Sequence, residues 1–374
     1  VANVAFIYLP SNDWVGGKNY YLSVFDALNK VESTGNKYFV FTSYDTDLSD
    51  IEGFKNIELV RTRVFTRNSF SNYIYRIFNR VFSENLSLYF LLRKYNIHIL
   101  SHSYISSITG IKSLPWVPDL QHCILPDNFS EKELYLRSKK IQKYLNSDNV
   151  LFSSRSAIRD VDLFFPKQKA EKRIYRFTPL KSDSYDYPKF NKLMCSYKIQ
   201  KPFVFLPNQF WKHKNHITCF EALKLARDNG KPFTIVCTGA FSDYRDPTYE
   251  YKIKEYIASN QLSEHVKLLG LVPRSVFNCL LKESEVLINP STFEGWSTTV
   301  EEGKASRKKM VLSNIPVHLE QIEPISRCWI FDTNNAQTCK DMILDALGSK
   351  DNIELKLDNN GDDLDDVYHS MMEK

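Results

Sequence analysis

Nowhere does this chain of 374 residues hold an apolar run near the ~20 residues that a membrane-spanning helix needs. Its opening run, Val4-Ala5-Phe6-Ile7-Tyr8-Leu9, is too short for a secretory signal and has no basic residue ahead of it. An integral membrane protein is therefore not expected; a cytoplasmic one is, soluble or peripheral on the cytoplasmic face of the membrane. The seven cysteines form no CxxC pair, and none stands at zinc-ligand spacing from a histidine, which argues against a disulfide framework and a zinc module. No internal repeat is visible, and low complexity is confined to the acidic stretch Gly361–Asp366. Nor does a recognised nucleic-acid module accompany the basic residues, so no nucleic-acid partner is expected.

What is present is enough apolar material for two cores, 43% of the chain with 14% aromatics, and at this length two domains are expected. The net charge of +5 is uneven: residues 1–180 carry a cationic excess, and residues 181–374 a slight anionic one. Such asymmetry suits an anionic partner or merely a solvated surface. The first half runs strand, Gly16-Gly17 loop, helix (Tyr20–Leu28), then strands at Tyr38–Thr42 and His98–Ser101 separated by amphipathic stretches. A polar, turn-rich segment, Lys181–Pro188, reads as a linker. Beyond it the alternation restarts, with strands at Phe203–Leu206, Phe233–Cys237, Val266–Leu269, Val286–Ile288 and Lys309–Leu312, and helices at Ile217–Arg227 and near Tyr251–Ala258. Two doubly wound α/β domains are expected, 1–180 and 181–350, with 351–374 a tail or helix returning to the first.

Doubly wound sheets bind ligands at the carboxyl ends of their strands. Glu294 follows the strand Val286–Ile288, and Gly295 to Thr299 open a helix that runs through Glu302. Amides at that helix start suit an anion such as a pyrophosphate, with Ser297, Thr298 and Thr299 adding hydroxyls. A carboxylate two turns into the helix can accept hydrogen bonds from a ribose diol, although Glu302 beside Glu301 also reads as an ordinary helix-surface acid.

Four segments carry a resemblance. Phe293-Glu-Gly-Trp-Ser-Thr-Thr-Val-Glu-Glu302, followed by Ser313-Asn-Ile-Pro-Val-His-Leu-Glu-Gln321, resembles the EX7E signature and following strand of retaining glycosyltransferase family 4. Leu206-Pro-Asn-Gln-Phe-Trp-Lys-His-Lys-Asn-His216 resembles that family's donor-phosphate loop, and Trp116-Val-Pro-Asp-Leu-Gln-His122 and Gly16-Gly17 are similar to its first-half motifs. The resemblance implies the GT-B fold, two Rossmann-like domains around a central cleft, the first binding acceptor and the second nucleotide sugar. It makes Glu294 the acid beside the donor sugar, Glu302 the ribose ligand, Lys214 a phosphate contact and His122 a residue near the sugar from the first domain. Where many members carry an Arg, this chain has Gln209, and Lys212 or Arg274 is the expected replacement. It further implies a retaining, front-face transfer with no metal and no cofactor beyond the donor, a UDP- or GDP-hexose, onto a glycan or lipid-linked glycan of a bacterial surface polysaccharide. A nucleotide-sugar epimerase of the same plan and a degenerate sugar-nucleotide-binding subunit are the alternatives.

Two further features bear on partners. Asp45-Thr46-Asp47 after a strand is the pattern that holds a divalent cation against a diphosphate, but with Leu48-Ser49-Asp50 following it reads better as a turn and helix cap. The stretch from Arg61 to Tyr95 carries seven cations against Glu84 alone, with Phe70, Ile74, Ile77, Phe78 and Val81 at helical spacing. It reads either as a membrane-facing helix that collects a lipid-linked acceptor or as a core-facing helix with a solvated basic back, and the second is the expectation.

Overall fold

The computed structural model describes residues 1–10, 15–31, 35–81, 86–106, 109–179, 184–241, 243, 245–323, 325, 327–350 and 363–373. The chain divides into two units, Val1–Leu180 with Asn360–Lys374, and Lys181–Asn359.

In the first unit the apolar run after Ala2 forms β1 (Asn3–Ile7) at the centre of a five-stranded parallel sheet among the described residues. Around it lie β2 (Lys37–Thr42), β3 (Ile57–Arg61), β4 (Ile99–Ser101) and β5 (Lys112–Leu114), in the order β3-β2-β1-β4-β5. Val4, Ala5 and Phe6 are wholly buried because both faces of the central strand are covered, which is why this strand reads as continuous apolar sequence. A smaller parallel sheet follows, of β6 (Trp116–Val117), β7 (Asn149–Phe152) and β8 (Glu171–Ile174).

Helix α1 (Val15–Lys30) follows β1, and Gly16 and Gly17 lie in its first turn rather than in a loop. An added Cβ at Gly16 would meet no protein atom, so packing within the protein does not require that glycine. Asp47 accepts the Ser49 amide at 3.0 Å, closing the turn read at Asp45–Asp50. Helices α2 (Phe70–Val81) and α3 (Leu86–Lys94) pack together before β4. The core-facing expectation is not met at Phe70 and Ile77, which are exposed, while Ile74 is half-buried, Tyr75 turns inward edge-on to Phe65, and the side chains of Phe78 and Val81 lie outside those described.

The helix Leu364–Glu373 belongs to the first unit and seats Tyr368 in its interior, fully buried. The Tyr368 hydroxyl lies 2.9 Å from Ser101 Oγ, which lies 2.8 Å from His102 Nδ1, and His102 Nε2 lies 2.7 Å from the hydroxyl of Tyr20. Tyr20 in turn stacks on Trp116 at 3.7 Å. Each polar atom in this buried chain has a partner, as burial demands. Asp365 accepts from Tyr38 and, at 2.8 Å, from Asn36.

The second unit is built on β9 (Phe203–Leu206), β10 (Thr234–Cys237), β11 (Val266–Leu268), β12 (Val286–Asn289), β13 (Lys309–Ser313) and β14 (Trp329–Phe331), all parallel, in the order β11-β10-β9-β12-β13-β14. Alternation sorts their side chains between two cores: Val204, Leu206, Ile235, Val286 and Ile288 on one face, Phe203, Phe205, Val236, Leu287 and Met310 on the other. Of the segment read as a linker, Lys181–Asp183 lie outside the described residues. Its end opens a helix, Tyr187–Ser196, capped by Asp186, whose side chain accepts the Lys189 amide at 2.9 Å.

Candidate active site

The strand order of the second unit reverses between β9 and β12, which is where an open α/β sheet offers a crevice. The loops leaving these strands carry Lys214 and Glu294. They are tied by backbone, the Thr292 amide donating to the His213 carbonyl at 2.8 Å. Asn215, in the left-handed region at φ 55°, reaches from the first loop to the Pro290 carbonyl at 3.2 Å.

Glu294 is held from one side. Lys214 Nζ lies 2.6 Å, Ser291 Oγ 2.7 Å and Asn289 Nδ2 3.4 Å from its Oε1, and Oε2 has no protein partner among the described residues. Burial alone would raise this carboxyl, but the Lys214 ammonium overrides it and holds Glu294 at about 2, fully ionised at neutral pH. The result is a fixed carboxylate with one oxygen saturated by the protein and one left for a ligand.

Ser297 caps the helix Thr298–Ala305, its Oγ accepting the Val300 amide at 3.4 Å and a proton of Asn289 Nδ2 at 2.8 Å. Gln321 grips the same residue by both ends, accepting the Ser297 amide at 3.2 Å and donating to its carbonyl at 2.9 Å. Gln321 also donates to Glu301 at 2.8 Å, and Glu301 is paired with Lys304, so the acid beside Glu302 is an interior residue, not a surface one. The amides of Thr298 and Thr299 have no protein acceptor among the described residues and remain available to an anion. Thr299 Oγ1 lies 3.2 Å from Asn208 Oδ1 and is engaged by the protein. Gly295 lies in the loop between Glu294 and this cap. Gly303 sits where a Cβ would come 2.6 Å from Leu287, so the helix lies close on the sheet.

Glu302 is buried and paired at 2.5 Å with Arg274, whose guanidinium also lies 4.6 Å over Phe277. Burial pushes its carboxyl up and Arg274 pulls it back. Arg274 therefore stands on the expected ribose ligand. Gln209, which occupies that place, accepts the Ala240 amide at 2.7 Å and joins the loops after β9 and β10. Arg245, held by Asp243 at 2.9 Å, adds a further cation beside this loop, lying 4.9 Å over Trp211.

In the first unit, His122 lies on a short helix, Gln121–Ile124, buried, with Nε2 3.2 Å from Ser138 Oγ and 3.3 Å from Cys123 Sγ. Burial, helped by Arg137, lowers its pKa, so the ring is neutral. Asp119 accepts the Gln121 amide at 2.9 Å. Gly16 and Gly17 remain in the first turn of α1. Among the described residues no group of three His, Cys, Asp or Glu side chains is placed to hold a metal ion.

Several residues of this site were not singled out by sequence. Asn289 ends an otherwise apolar strand, and it accepts from Asn208 Nδ2 at 3.0 Å, linking the two loops across the sheet. Gly239 follows β10 at φ +145°, and a Cβ there would stand 2.3 Å from the Asn208 carbonyl. Gly239→Ala is accordingly expected to cost about 2 kcal/mol by forcing the β9 loop away, read as a lower urea midpoint at unchanged slope. The signals were available: a polar residue closing a buried strand, and a glycine just beyond one.

Residues 196–363 match the family model "Glycosyl transferases group 1". No match was found among curated proteins. Among solved structures, a glycosyltransferase from Rickettsia africae is similar over 93% of this chain and 89% of its own, at 17% identity and a TM-score of 0.65. Anabaena HepE, solved with UDP and glucose, is similar over 93% and 90% at 11% identity and 0.65. Sucrose-phosphate synthase from Thermosynechococcus elongatus is similar over 93% and 90%, at 14% and 0.64. At these identities the likeness shows the fold, GT-B, while the family match falls on the unit that carries Lys214, Glu294 and Glu302. Residues 196–363 are thus a group 1 glycosyltransferase domain, and the chain is a glycosyltransferase.

Proposed function

We propose that the second unit holds a nucleoside-diphosphate hexose on the loops after β9 and β12 and that the enzyme transfers the hexose, with retention, to a glycan or lipid-linked glycan of a bacterial surface polysaccharide. The observation that carries the donor site is Glu294, ionised, clamped through Oε1 and unpaired at Oε2. A carboxylate so held is a fixed acceptor for the hydroxyls of a bound sugar. The Thr298 and Thr299 amides and the remaining protons of Lys214 Nζ are donors suited to a diphosphate, whose charge grows as the glycosidic bond breaks. Glu302, which Arg274 engages at Oε1 alone, is the ribose acceptor through its other oxygen. Anabaena HepE has been solved with UDP and with UDP-glucose, which favours a uridine donor here.

In this reading the leaving phosphate takes the acceptor proton, the protein's own part is positioning and charge stabilisation, and no metal is needed. Activity is expected to survive EDTA. A thermal-shift panel of UDP, GDP, ADP and dTDP sugars tests the donor site: a cognate donor at a hundred times its Kd adds about 2.7 kcal/mol of stability. No shift with any donor overturns the assignment. An isomerised nucleotide sugar formed without acceptor identifies an epimerase instead.

A further inference from the structure

We propose that α2 and α3 dock the first unit on the surface of an anionic lipid bilayer. On α2 the exposed side chains Phe70, Tyr73 and Ile77 stand three and seven residues apart, along one side of the helix, with Phe70 79% accessible. On α3 the exposed Leu86 and Phe90 stand four apart, Phe90 at 66%, while Leu88 and Leu92 on the other side are buried. Single exposed apolar residues are ordinary on any surface. Five on two helices packed together are more than that, and concentrations of exposed apolar side chains mark interaction sites.

The charge around these side chains selects the partner. Arg63, Arg67, Arg76, Arg93 and Lys94 are exposed, and none has an ion-pair partner among the described residues. From residue 61 to residue 118 the sequence holds a single acid, Glu84. Unpaired cations beside exposed aromatic and aliphatic side chains are what an interfacial surface uses: the apolar groups enter the headgroup boundary and the cations meet lipid phosphate. A second copy of this chain would bring the same cations against these. A nucleic acid would meet the cations but leave Ile77 and Leu86 without a stacking partner. No described helix is long and apolar enough to cross a membrane, so the contact lies at the surface. The inference does not depend on the donor site.

Sedimentation with vesicles tests it. The full chain is expected to pellet with vesicles of equal parts phosphatidylglycerol and phosphatidylcholine and to remain in solution with phosphatidylcholine alone. Arg63→Gln, Arg67→Gln and Arg93→Gln together should weaken partitioning about a hundredfold, from the worth of each cation at an anionic surface. Phe70→Ser, Tyr73→Ser and Phe90→Ser together should weaken it by at least about tenfold at unchanged charge. Phe90→Trp should show a blue-shifted emission on binding, which checks insertion in a chain that retains its fold. Equal binding to both vesicle types, no binding to either, or variants that pellet like the parent overturn the proposal. So does a self-association that the triple serine variant abolishes while vesicle binding persists.

Discussion

Lys214→Met is expected to lower the transfer rate by roughly 10²–10³-fold and the stability of the second unit by roughly 3–5 kcal/mol. The two losses have one origin. The Lys214 ammonium lies 2.6 Å from Glu294, and both side chains are largely withdrawn from water. Without it burial is opposed only by the weaker donors, and the carboxyl rises from about 2 toward or above its ordinary range. A protonated Glu294 donates from an oxygen that the reaction needs as an acceptor, and the departing diphosphate also loses its nearest cation. The double variant Lys214→Met/Glu294→Gln removes the stranded charge, so it should regain most of the stability and none of the activity. A double-mutant cycle on urea unfolding, run beside initial rates, separates these effects. A single Lys214→Met variant as stable as the parent would show that the pair does not hold the loops.

The second large effect is acid lability. His213, His216 and His318 are buried in the second unit, and burial holds their pKa values at about 3, 3 and 4. His216 stacks 4.4 Å from Phe210, and His318 Nδ1 donates to the Ser313 carbonyl at 3.0 Å. In the unfolded chain each titrates near the ordinary value of about 6.5. The stability these neutral rings confer is therefore complete above about 6.5 and is lost as pH falls toward their folded values. Three such groups give a slope approaching roughly 4 kcal/mol per pH unit, and between pH 7 and pH 5 the loss is roughly 5 kcal/mol, a large part of what a domain possesses. Denaturant unfolding across this range should show that slope, and His216→Phe should flatten it by one proton. A stability flat from pH 7 to 5 would refute the buried neutral state of these rings. The Lys214–Glu294 pair adds almost nothing in that window, since the stability from its ionised carboxylate is lost between the ordinary value of about 4.5 and the folded one of about 2.

Much of the second unit is legible because its strands are covered on both faces. Phe203–Leu206 and Val286–Ile288 have no polar side to obscure them, and wholly buried strands are what the sequence displays there. Strands of the other kind stay hidden: β3 exposes Glu58 at a sheet edge, and β8 is Glu-Lys-Arg-Ile, only half-buried throughout. The two carboxylates and the lysine of the site are visible as motifs. Their mutual state is not, because Lys214 and Glu294 meet across 80 residues of chain and Arg274 reaches Glu302 across 28. The Gly16-Gly17 pair reads as a loop because it follows a strand, whereas α1 begins at Val15 and takes both glycines into its first turn. On α2 the apolar spacing is real, but Phe70 and Ile77 point to solvent, and a period alone does not say which medium an apolar stripe will face.

The seat of Tyr368 has a consequence for the order in which this protein is made. The first sheet is complete in the chain by Leu114, yet the helix that fills the space beside Phe6, Tyr38 and Ser101 begins only at Leu364. On the ribosome, the whole second unit emerges before that helix does. Throughout this interval the nascent first unit carries an open slot lined by apolar rings and by the Ser101–His102–Tyr20 hydroxyl relay. Docking of that helix is thus a late step in the folding of the first unit, taken only after the second unit has been made.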